Sequence, residues 1–351
     1  VLPLSGDARV TSMAPSTSCL KRVQSELRKL RDADLKEFAL KRENARLVQG
    51  CDGVIQIDQT IWLRQDDELD LTRFTALICG VEGTPYEFGM YLFSVKIPDD
   101  YPFQPPKVKH LTTDGVFRTN PNLYANGKVC LSILGTWSGP GWTQILTLRT
   151  VLLSIQTLFC EDPLQNEPGY EKKNGVGRKQ YPSYGKHNFG GNNFPGVSRY
   201  KDQYKDYTEA VRHANFRIAV EGQVRRGRGQ NPQAASAPFR TIMERLFLRK
   251  YSEIEEAVKR KVCEIDWCGA LNAVWSTEYV DYRARAKELE KCRMDLLGVD
   301  TGGGGEAKTA KRKAPSTSEA VDLTAPEEEV DGNNDEKKKK KKEEVVVVLD
   351  D

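Results

Sequence analysis

Cys130 has neighbours that could support nucleophilic chemistry. It lies between apolar residues just after the turn-forming pair Asn126-Gly127, and the sequence Asn120-Pro121-Asn122 lies upstream. A thiolate is a strong nucleophile, and a thioester formed on it stays reactive towards amines. Without its surroundings, such a cysteine is more often a small buried residue of the core. Both interpretations stay open at this point.

The surroundings of Cys130 favour a transferase over a hydrolase. No histidine lies near Cys130 in the sequence, so a Cys-His protease pair is not indicated. Without a strong base to activate water, a thioester could persist until an amine arrives. This chemistry requires a sulfur atom that its reaction partners can reach.

Composition excludes several classes of protein and site. The chain has 351 residues, 38% of them hydrophobic, and a net charge of only +3, which argues against a dedicated nucleic-acid binder. No apolar run approaches the roughly 18 residues of a membrane span, and no secretory signal is recognisable. The eight cysteines include no CxxC pair, so we expect no metal site and reduced thiols. The first residue is not methionine, which suggests that the chain begins mid-sequence.

The elements that must position Cys130 can be read from periodicity. A helix is predicted from Ser18, with apolar residues on one face. Strands are predicted around Ile55–Ile61 and at 74–79 and 91–97, and a rigid proline-rich connection follows at 101–106. A buried helix is predicted at Leu146–Phe159.

The remainder of the chain is predicted to contain further helices between flexible segments. Residues 171–200 are rich in Gly, Asn, Lys and Tyr, which indicates a surface insertion. Helical patterns return at 201–220, 238–262 and 278–297. Residues 1–17 and the charged tail at 300–351 are predicted to be disordered, because neither offers enough apolar residues for a core.

Several motifs, taken together and in order, resemble the catalytic core of the ubiquitin-conjugating enzymes. They are LKRVQSEL at 20–27, YPFQPPKV at 101–108, PN at 121–122, NGKVCL at 126–131, Trp142, VLLSI at 151–155 and EP at 167–168. Within the family the chain most resembles the Z type, through CLSILGTW at 130–137, NEPG at 166–169, VRH at 211–213 and RIAV at 217–220.

The resemblance implies an α+β fold with a four-stranded antiparallel sheet flanked by helices. It places the ubiquitin-conjugating core at 18–220, with the insertion at 171–200, and a C-terminal helical extension at 221–299. It also implies that Cys130 accepts ubiquitin or a ubiquitin-like modifier as a thioester and passes it to a substrate lysine or a ligase. No cofactor is expected, because ATP would be consumed by the upstream activating enzyme.

The resemblance gives catalytic roles to two further residues. Asn122 would donate its side-chain amide to the oxyanion that forms as the amine attacks, or it would only brace the turn. Glu167 would orient the acceptor lysine or accept its proton through water. The alternative for Glu167 is an ordinary solvated carboxylate.

Two surfaces for partners also follow from the resemblance. Lys21 and Arg22 would contact the ubiquitin-activating enzyme. Four residues would contact a ubiquitin ligase: Pro102, Phe103, Trp142 and Thr143. Asn120 replaces the family's usual histidine, which is regarded as structural, so we expect activity to survive; a WTQI sequence at 142–145 replaces the usual loop, which leaves the choice of ligase open.

The tail contains two short apolar runs with acidic flanks, Val321–Thr324 and Val345–Leu349. They resemble SUMO-interaction motifs, in which a β-branched run adds a strand to a partner sheet; chance low-complexity sequence is the alternative. Basic clusters at 311–313 and 337–342 could direct nuclear import, so we expect a cytoplasmic and nuclear protein.

Two alternatives to an active enzyme remain. One is a catalytically inactive scaffold of the same fold that binds ubiquitin, which the joint presence of Cys130, Asn122 and Glu167 disfavours. The other is a cysteine hydrolase, which the lack of a suitable histidine disfavours.

Overall fold

The computed structural model describes residues 15–33, 46–168, 170, 202–226 and 237–299. Three predicted features fall outside these residues: most of the N-terminal segment, the insertion at 171–200, and the tail with both runs that resemble SUMO-interaction motifs.

The predicted α+β class is confirmed, and the main sheet has five antiparallel strands in sequential order. They are β1 (Val54–Asp58), β2 (Ile61–Asp67), β3 (Asp70–Cys79), β4 (Met90–Lys96) and β5 (Lys107–His110). The predicted number of four is too low, in part because the segment Ile55–Ile61 is a hairpin. The Asp58 carboxylate accepts a hydrogen bond from the Gln59 backbone N–H at 2.5 Å, which turns the chain at that point.

One face of the sheet carries a continuous buried column of side chains. Ala76 of β3 pairs with Leu63 of β2 and with Phe93 of β4, and Phe93 pairs in turn with His110 of β5. All four side chains are buried. Such cross-strand contacts between buried side chains are the main stabilising interactions of a sheet.

Two helices of the core are fixed at their N-termini by side-chain caps. Helix α1 (Thr17–Ala33) begins after Ser16, whose hydroxyl accepts the Cys19 backbone N–H at 3.1 Å. Helix α2 (Leu148–Gln156) begins after Thr147, whose hydroxyl accepts the Thr150 N–H. The predicted second helix is longer at both ends, because the cap starts it at 148 and its last predicted residues follow the helix as a turn.

The C-terminal part is mainly helical. It contains α3 (Gln203–Ala214), a π-helical segment (Asn215–Glu221), α4 (Gly222–Arg226), α5 (Ala237–Glu264) and α6 (Tyr282–Leu297). None of the helices in the described ranges is both long and apolar enough to cross a bilayer.

A hairpin that the sequence analysis did not predict precedes α6. Its strands are β6 (Gly269–Asn272) and β7 (Thr277–Val280). The segment predicted as helix from 278 therefore starts as strand. The reason is Asp281, whose carboxylate accepts the Ala284 N–H at 2.9 Å and so caps the helix after residue 281.

Glu278 of β7 joins this hairpin to the core. Its carboxylate contacts His213 Nδ1 at 2.8 Å and accepts hydrogen bonds from the Arg217 guanidinium at 2.8 and 2.7 Å. Arg217 also pairs with Asp114, at 2.9 Å, in the loop after β5. A buried carboxylate with several charged or polar partners fixes the hairpin relative to α3, the π-helical segment and the loop after β5.

Candidate active site

A tight turn places Cys130 at the start of its loop. The Gly127 N–H donates to the Tyr124 carbonyl and the Tyr124 N–H donates to the Lys128 carbonyl, both at 2.9 Å. Gly127 has φ +89°, and a Cβ atom there would lie 2.7 Å from the His110 carbonyl oxygen. Glycine is therefore required for both its conformation and the close approach of the two backbones.

Asn122 and Cys130 are held together by two hydrogen bonds. The Cys130 N–H donates to the Asn122 carbonyl at 2.8 Å, and the Asn122 side-chain Nδ2 donates to the Cys130 carbonyl at 2.8 Å. The bracing interaction given above as an alternative is therefore present. Asn122 Oδ1 is buried and has no hydrogen-bond partner among the described residues.

The Asn120 side chain holds the backbone of Asn122 in place. Its Nδ2 donates to the Tyr86 hydroxyl and to the Leu158 carbonyl, each at 2.8 Å, and its Oδ1 accepts the Asn122 N–H at 2.8 Å. The side chain is completely buried. Asn120 thus connects its own turn to the turn that follows α2, which is a structural role.

The Cys130 side chain is much less accessible than the proposed chemistry requires. Cys130 is only 1% exposed, which contradicts the expectation of an open sulfur. The half-buried Tyr124 interacts with the Cys130 thiol. Burial raises the pKa of Tyr124, its interaction with the Cys130 thiol raises it further, and Arg118 opposes the shift.

Glu167 lies at the edge of the same site. It follows a 3₁₀ turn at Pro163–Asn166, and its N–H donates to the Leu164 carbonyl at 3.1 Å. Burial raises the pKa of Glu167, while the nearby Arg118 lowers it. The Arg118 Nη2 and Glu167 Oε2 atoms are 3.7 Å apart.

Arg118 is a central residue that the sequence analysis did not identify. Its guanidinium carbon lies 3.9 Å from the centroid of the Tyr124 ring and 4.2 Å from that of Trp275. The Tyr207 hydroxyl donates to the Arg118 carbonyl at 3.3 Å. The sequence holds no signal for this cluster, because Trp275 and Tyr207 come from distant parts of the chain.

Lys21 and Arg22 have different environments. Lys21 is exposed on α1. Arg22 pairs with Glu26 at 2.5 Å and donates through Nη2 to the carbonyls of Gln144 and Leu146, at 3.1 and 3.0 Å. Arg22 therefore fixes the loop before α2 to α1, whatever else it contacts.

The four residues predicted to bind a ligase lie on two loops that are in contact. The Trp142 indole N–H donates to the Pro102 carbonyl at 2.7 Å. Phe103 is 64% exposed beside this contact, and Thr143 is also exposed. The two loops thus present an exposed aromatic ring on a rigid support.

The structure also bears on metal sites and on the other thiols. Within the part of the chain that is described, no three His, Cys, Asp or Glu side chains are grouped as metal ligands. The Cys79 thiol is a poor nucleophile, because burial raises its pKa to about 12.

Comparison with known proteins finds a family model that matches the middle of the chain. Residues 39–187 match the family model described as ubiquitin-conjugating enzyme. This range includes Cys130, Asn122 and Glu167.

Several curated proteins are similar over a longer part of the chain. "Ubiquitin-conjugating enzyme E2 Z" of Xenopus tropicalis is 40% identical over 194 residues, covering 55% of this chain and 52% of that protein. The human protein of the same name is 40% identical over 197 residues, covering 56% and 47%. "Probable ubiquitin-conjugating enzyme protein 17" of Caenorhabditis elegans is 35% identical, covering 54% and 23%. The chain spans about half the length of the first two relatives.

Proposed function

We propose that the chain belongs to the ubiquitin-conjugating enzyme family, with similarity to its Z type, and that Cys130 carries ubiquitin or a ubiquitin-like modifier as a thioester. In the first step the Cys130 thiolate attacks the thioester carbonyl on the activating enzyme. A new carbon–sulfur bond forms, the bond to the activating enzyme breaks, and that enzyme's thiol leaves. ATP is consumed before this step, by the activating enzyme.

The observation that carries the proposal is the pairing of Asn122 with Cys130. The 2.8 Å bond from Asn122 Nδ2 to the Cys130 carbonyl keeps the amide next to the reacting residue. An amide nitrogen has two hydrogens, so one can hold the loop while the other serves the oxyanion. A preorganised donor of this kind typically contributes about 3 kcal/mol to a transition state.

In the second step a substrate lysine attacks the thioester, and Glu167 assists it. Lysine has an ordinary pKa near 10.4 and must lose a proton before it attacks. A carboxylate with a raised pKa is a better proton acceptor near neutral pH than an ordinary one. As the carbon–nitrogen bond forms, the carbon–sulfur bond breaks and the thiolate of Cys130 leaves.

The same proposal assigns the partner surfaces. Lys21 and Arg22 bind the activating enzyme, with exposed Lys21 as the main contact. Pro102, Phe103, Trp142 and Thr143 bind a ligase, and the exposed Phe103 ring is the anchor.

The domain boundaries and the cellular setting are part of the proposal. The core spans 18–220 and the extension 221–299. The runs at Val321–Thr324 and Val345–Leu349 recruit SUMO or a SUMO-modified substrate, and the protein works in the cytoplasm and nucleus. Titration of a tail peptide against isotope-labelled SUMO tests the recruitment, since unchanged chemical shifts at high peptide concentration would exclude it.

A charging assay tests the proposed function against both alternatives. The protein is incubated with a panel of activating enzymes, ATP and modifiers, and then separated with and without a thiol reductant. An adduct that the reductant removes and that Cys130→Ala abolishes is expected. A scaffold would bind the modifier without an adduct, and a hydrolase would cleave modifier esters in the absence of ATP.

A further inference from the structure

The buried state of Cys130 requires an explanation if this residue is to receive a modifier. At 1% exposure, the sulfur cannot be approached by a thioester on another protein. Tyr124, which interacts with the thiol, is itself only half-buried. Tyr124 is therefore a neighbour of the thiol, and the contacts that fix the Tyr124 ring are the place to look for a group that opens or closes access to Cys130.

Tyr124 is held by a stack that ends in the C-terminal hairpin. The Arg118 guanidinium carbon lies 3.9 Å from the Tyr124 ring centroid and 4.2 Å from the Trp275 ring centroid. Trp275 also makes an edge-on contact with Tyr207, with ring centroids 5.6 Å apart. A residue of the extension thus closes a cluster whose other end is at the nucleophile.

The hairpin holds Trp275 in a defined position. The preceding residue, Val274, has φ +67°, which is rare for a β-branched residue and costs on the order of 1–3 kcal/mol. The Trp275 N–H donates to the Ala273 carbonyl at 2.7 Å. Glu278, in the strand that follows, is bonded to His213 and Arg217 of the core. These contacts maintain an unfavourable backbone conformation that directs the indole onto Arg118.

The stack can nevertheless open. Trp275 is 36% exposed, so part of its side chain already faces solvent. Cation–π contacts near a surface contribute roughly 0.5–2 kcal/mol each. If opening the stack costs a few kcal/mol, a small fraction of the molecules is open at equilibrium. A partner that binds only the open form can then shift the protein towards it.

We propose that Trp275 is a positioning residue which, through Arg118 and Tyr124, closes access to the Cys130 thiol until the stack opens for the modifier. This inference rests on the proposed function of Cys130. It makes the C-terminal extension a part of the active site: the closed stack protects the thiol, and displacement of Trp275 by a partner exposes it.

The proposal is tested by the alkylation rate of each cysteine in the whole protein. Samples are taken during reaction with iodoacetamide, and the cysteine peptides are quantified by mass spectrometry. Exposed Cys263 serves as the internal reference, and buried Cys19 and Cys292 report any general unfolding. The variants are Trp275→Ala, Trp275→Phe and, as the matched control on the same hairpin, Tyr279→Ala, whose side chain is 62% exposed.

Trp275→Ala is expected to accelerate alkylation of Cys130 about tenfold relative to Cys263, the equivalent of losing about 1.4 kcal/mol of closure. Cys19 and Cys292 should keep their rates. Trp275→Phe retains an aromatic face for Arg118 and should remain near the wild type, as should Tyr279→Ala.

An unchanged Cys130 rate in Trp275→Ala would overturn the gate, as would an equal acceleration in Tyr279→Ala or an acceleration shared by Cys19 and Cys292. Failure of the proposed function would be seen in a different assay, as the absence of a Cys130 adduct in the charging reaction. The alkylation experiment requires neither ATP nor a modifier, so the two failures can be told apart.

Discussion

The side-chain amide of Asn122 donates a hydrogen bond to the backbone carbonyl of Cys130, with 2.8 Å between nitrogen and oxygen. The backbone N–H of Cys130 returns the interaction to the Asn122 carbonyl, also at 2.8 Å. Structural and catalytic roles are therefore compatible at Asn122, because its amide has a second hydrogen. The two roles can be separated by measuring stability and reactivity in the same variant.

Asn122→Asp keeps the shape of the side chain but removes both donor hydrogens. We expect discharge of a preformed Cys130 thioester to free lysine to slow about 100-fold, as is typical for loss of one oxyanion donor. Single-turnover discharge measures this rate. Thermal unfolding measured in parallel should show a loss of about 1–3 kcal/mol from the broken bond to the Cys130 carbonyl.

Asn126→Asp is the matched control for that substitution. Asn126 is exposed in the same loop, and its Oδ1 accepts the Lys128 N–H at 3.0 Å, an interaction that aspartate retains. Discharge by this control should be unchanged. If Asn122→Asp lost stability but discharged at close to the wild-type rate, Asn122 would have only its bracing role.

The raised pKa of Glu167 leads to a prediction about pH dependence. Glu167 assists only when it is ionised, so the rate of discharge to lysine should fall as the pH drops through its pKa. Because burial raises that pKa, the fall should begin at a pH above the ordinary glutamate value of about 4.3.

The thioester of Glu167→Gln should discharge slowly, and its rate should no longer fall as the pH drops. Glu161→Gln removes an exposed carboxylate from the same loop, and its discharge rate should fall at acid pH as in the wild type. A profile that is identical in the wild type and in Glu167→Gln would show that another group titrates. The measurement is single-turnover discharge of the isolated thioester across the pH range.

Lys21 and Arg22 should differ in what their removal disturbs. Lys21→Ala removes an exposed charge and should raise the KM for the loaded activating enzyme while leaving stability within about 0.5 kcal/mol. Arg22→Met breaks the contacts to Glu26 and to two loop carbonyls, so we expect a loss of about 2 kcal/mol.

Denaturant unfolding together with charging kinetics checks this difference. Equal stability losses in the two variants would contradict the structural role given to Arg22. An unchanged KM in Lys21→Ala would remove Lys21 from the proposed contact with the activating enzyme.

The buried carboxylate of Glu278 should make stability depend on pH. Burial alone would raise the pKa of Glu278, but hydrogen bonds from His213 and Arg217 hold it below the ordinary value. The stabilisation is therefore complete above the unfolded-state pKa and is lost as the pH falls through the lower folded-state pKa. Glu278→Gln should lose about 3 kcal/mol near neutral pH.

Urea unfolding at a series of pH values measures this effect. The difference between the wild type and Glu278→Gln should narrow towards acid pH. Glu256→Gln, which removes an exposed carboxylate on α5, should match the wild type throughout. A gap of constant size at all pH values would contradict the ionised state assigned to Glu278.

Features set by local sequence could be predicted well. The apolar positions of α1 and α2 predict both helices, because their spacing places the apolar side chains on one face of a helix, where they can be buried. The Asn-Pro-Asn and Asn-Gly turns mark the loop of Cys130. The order of the motifs resembles that of the ubiquitin-conjugating enzymes, and that resemblance predicted the α+β class. The roles of Asn122 and Glu167 came from the family resemblance, because the spacing of residues in the sequence does not indicate them.

Features set by contacts between distant segments could not be predicted. The β6–β7 hairpin is short, and its last strand adjoins a helical pattern from which only the Asp281 cap separates it. The stack of Arg118 on Tyr124 and Trp275 depends on where this hairpin docks. The sequence likewise predicted an open thiol, whereas Cys130 is buried, because burial depends on the packing of segments that are distant in the sequence.

The decisive measurement is the mass of the covalent species that Cys130→Ser forms. This variant should be incubated with the activating enzyme, ATP and modifier that charge the wild type, and analysed by intact-mass and peptide-mapping spectrometry. We expect one modifier joined through an oxyester to the hydroxyl introduced at position 130, and this bond should survive thiol reductant, whereas the wild-type adduct at Cys130 is lost. A thiol-sensitive adduct that persists in Cys130→Ser, or one mapped to another cysteine, would contradict the assignment of Cys130 as the carrier of the modifier.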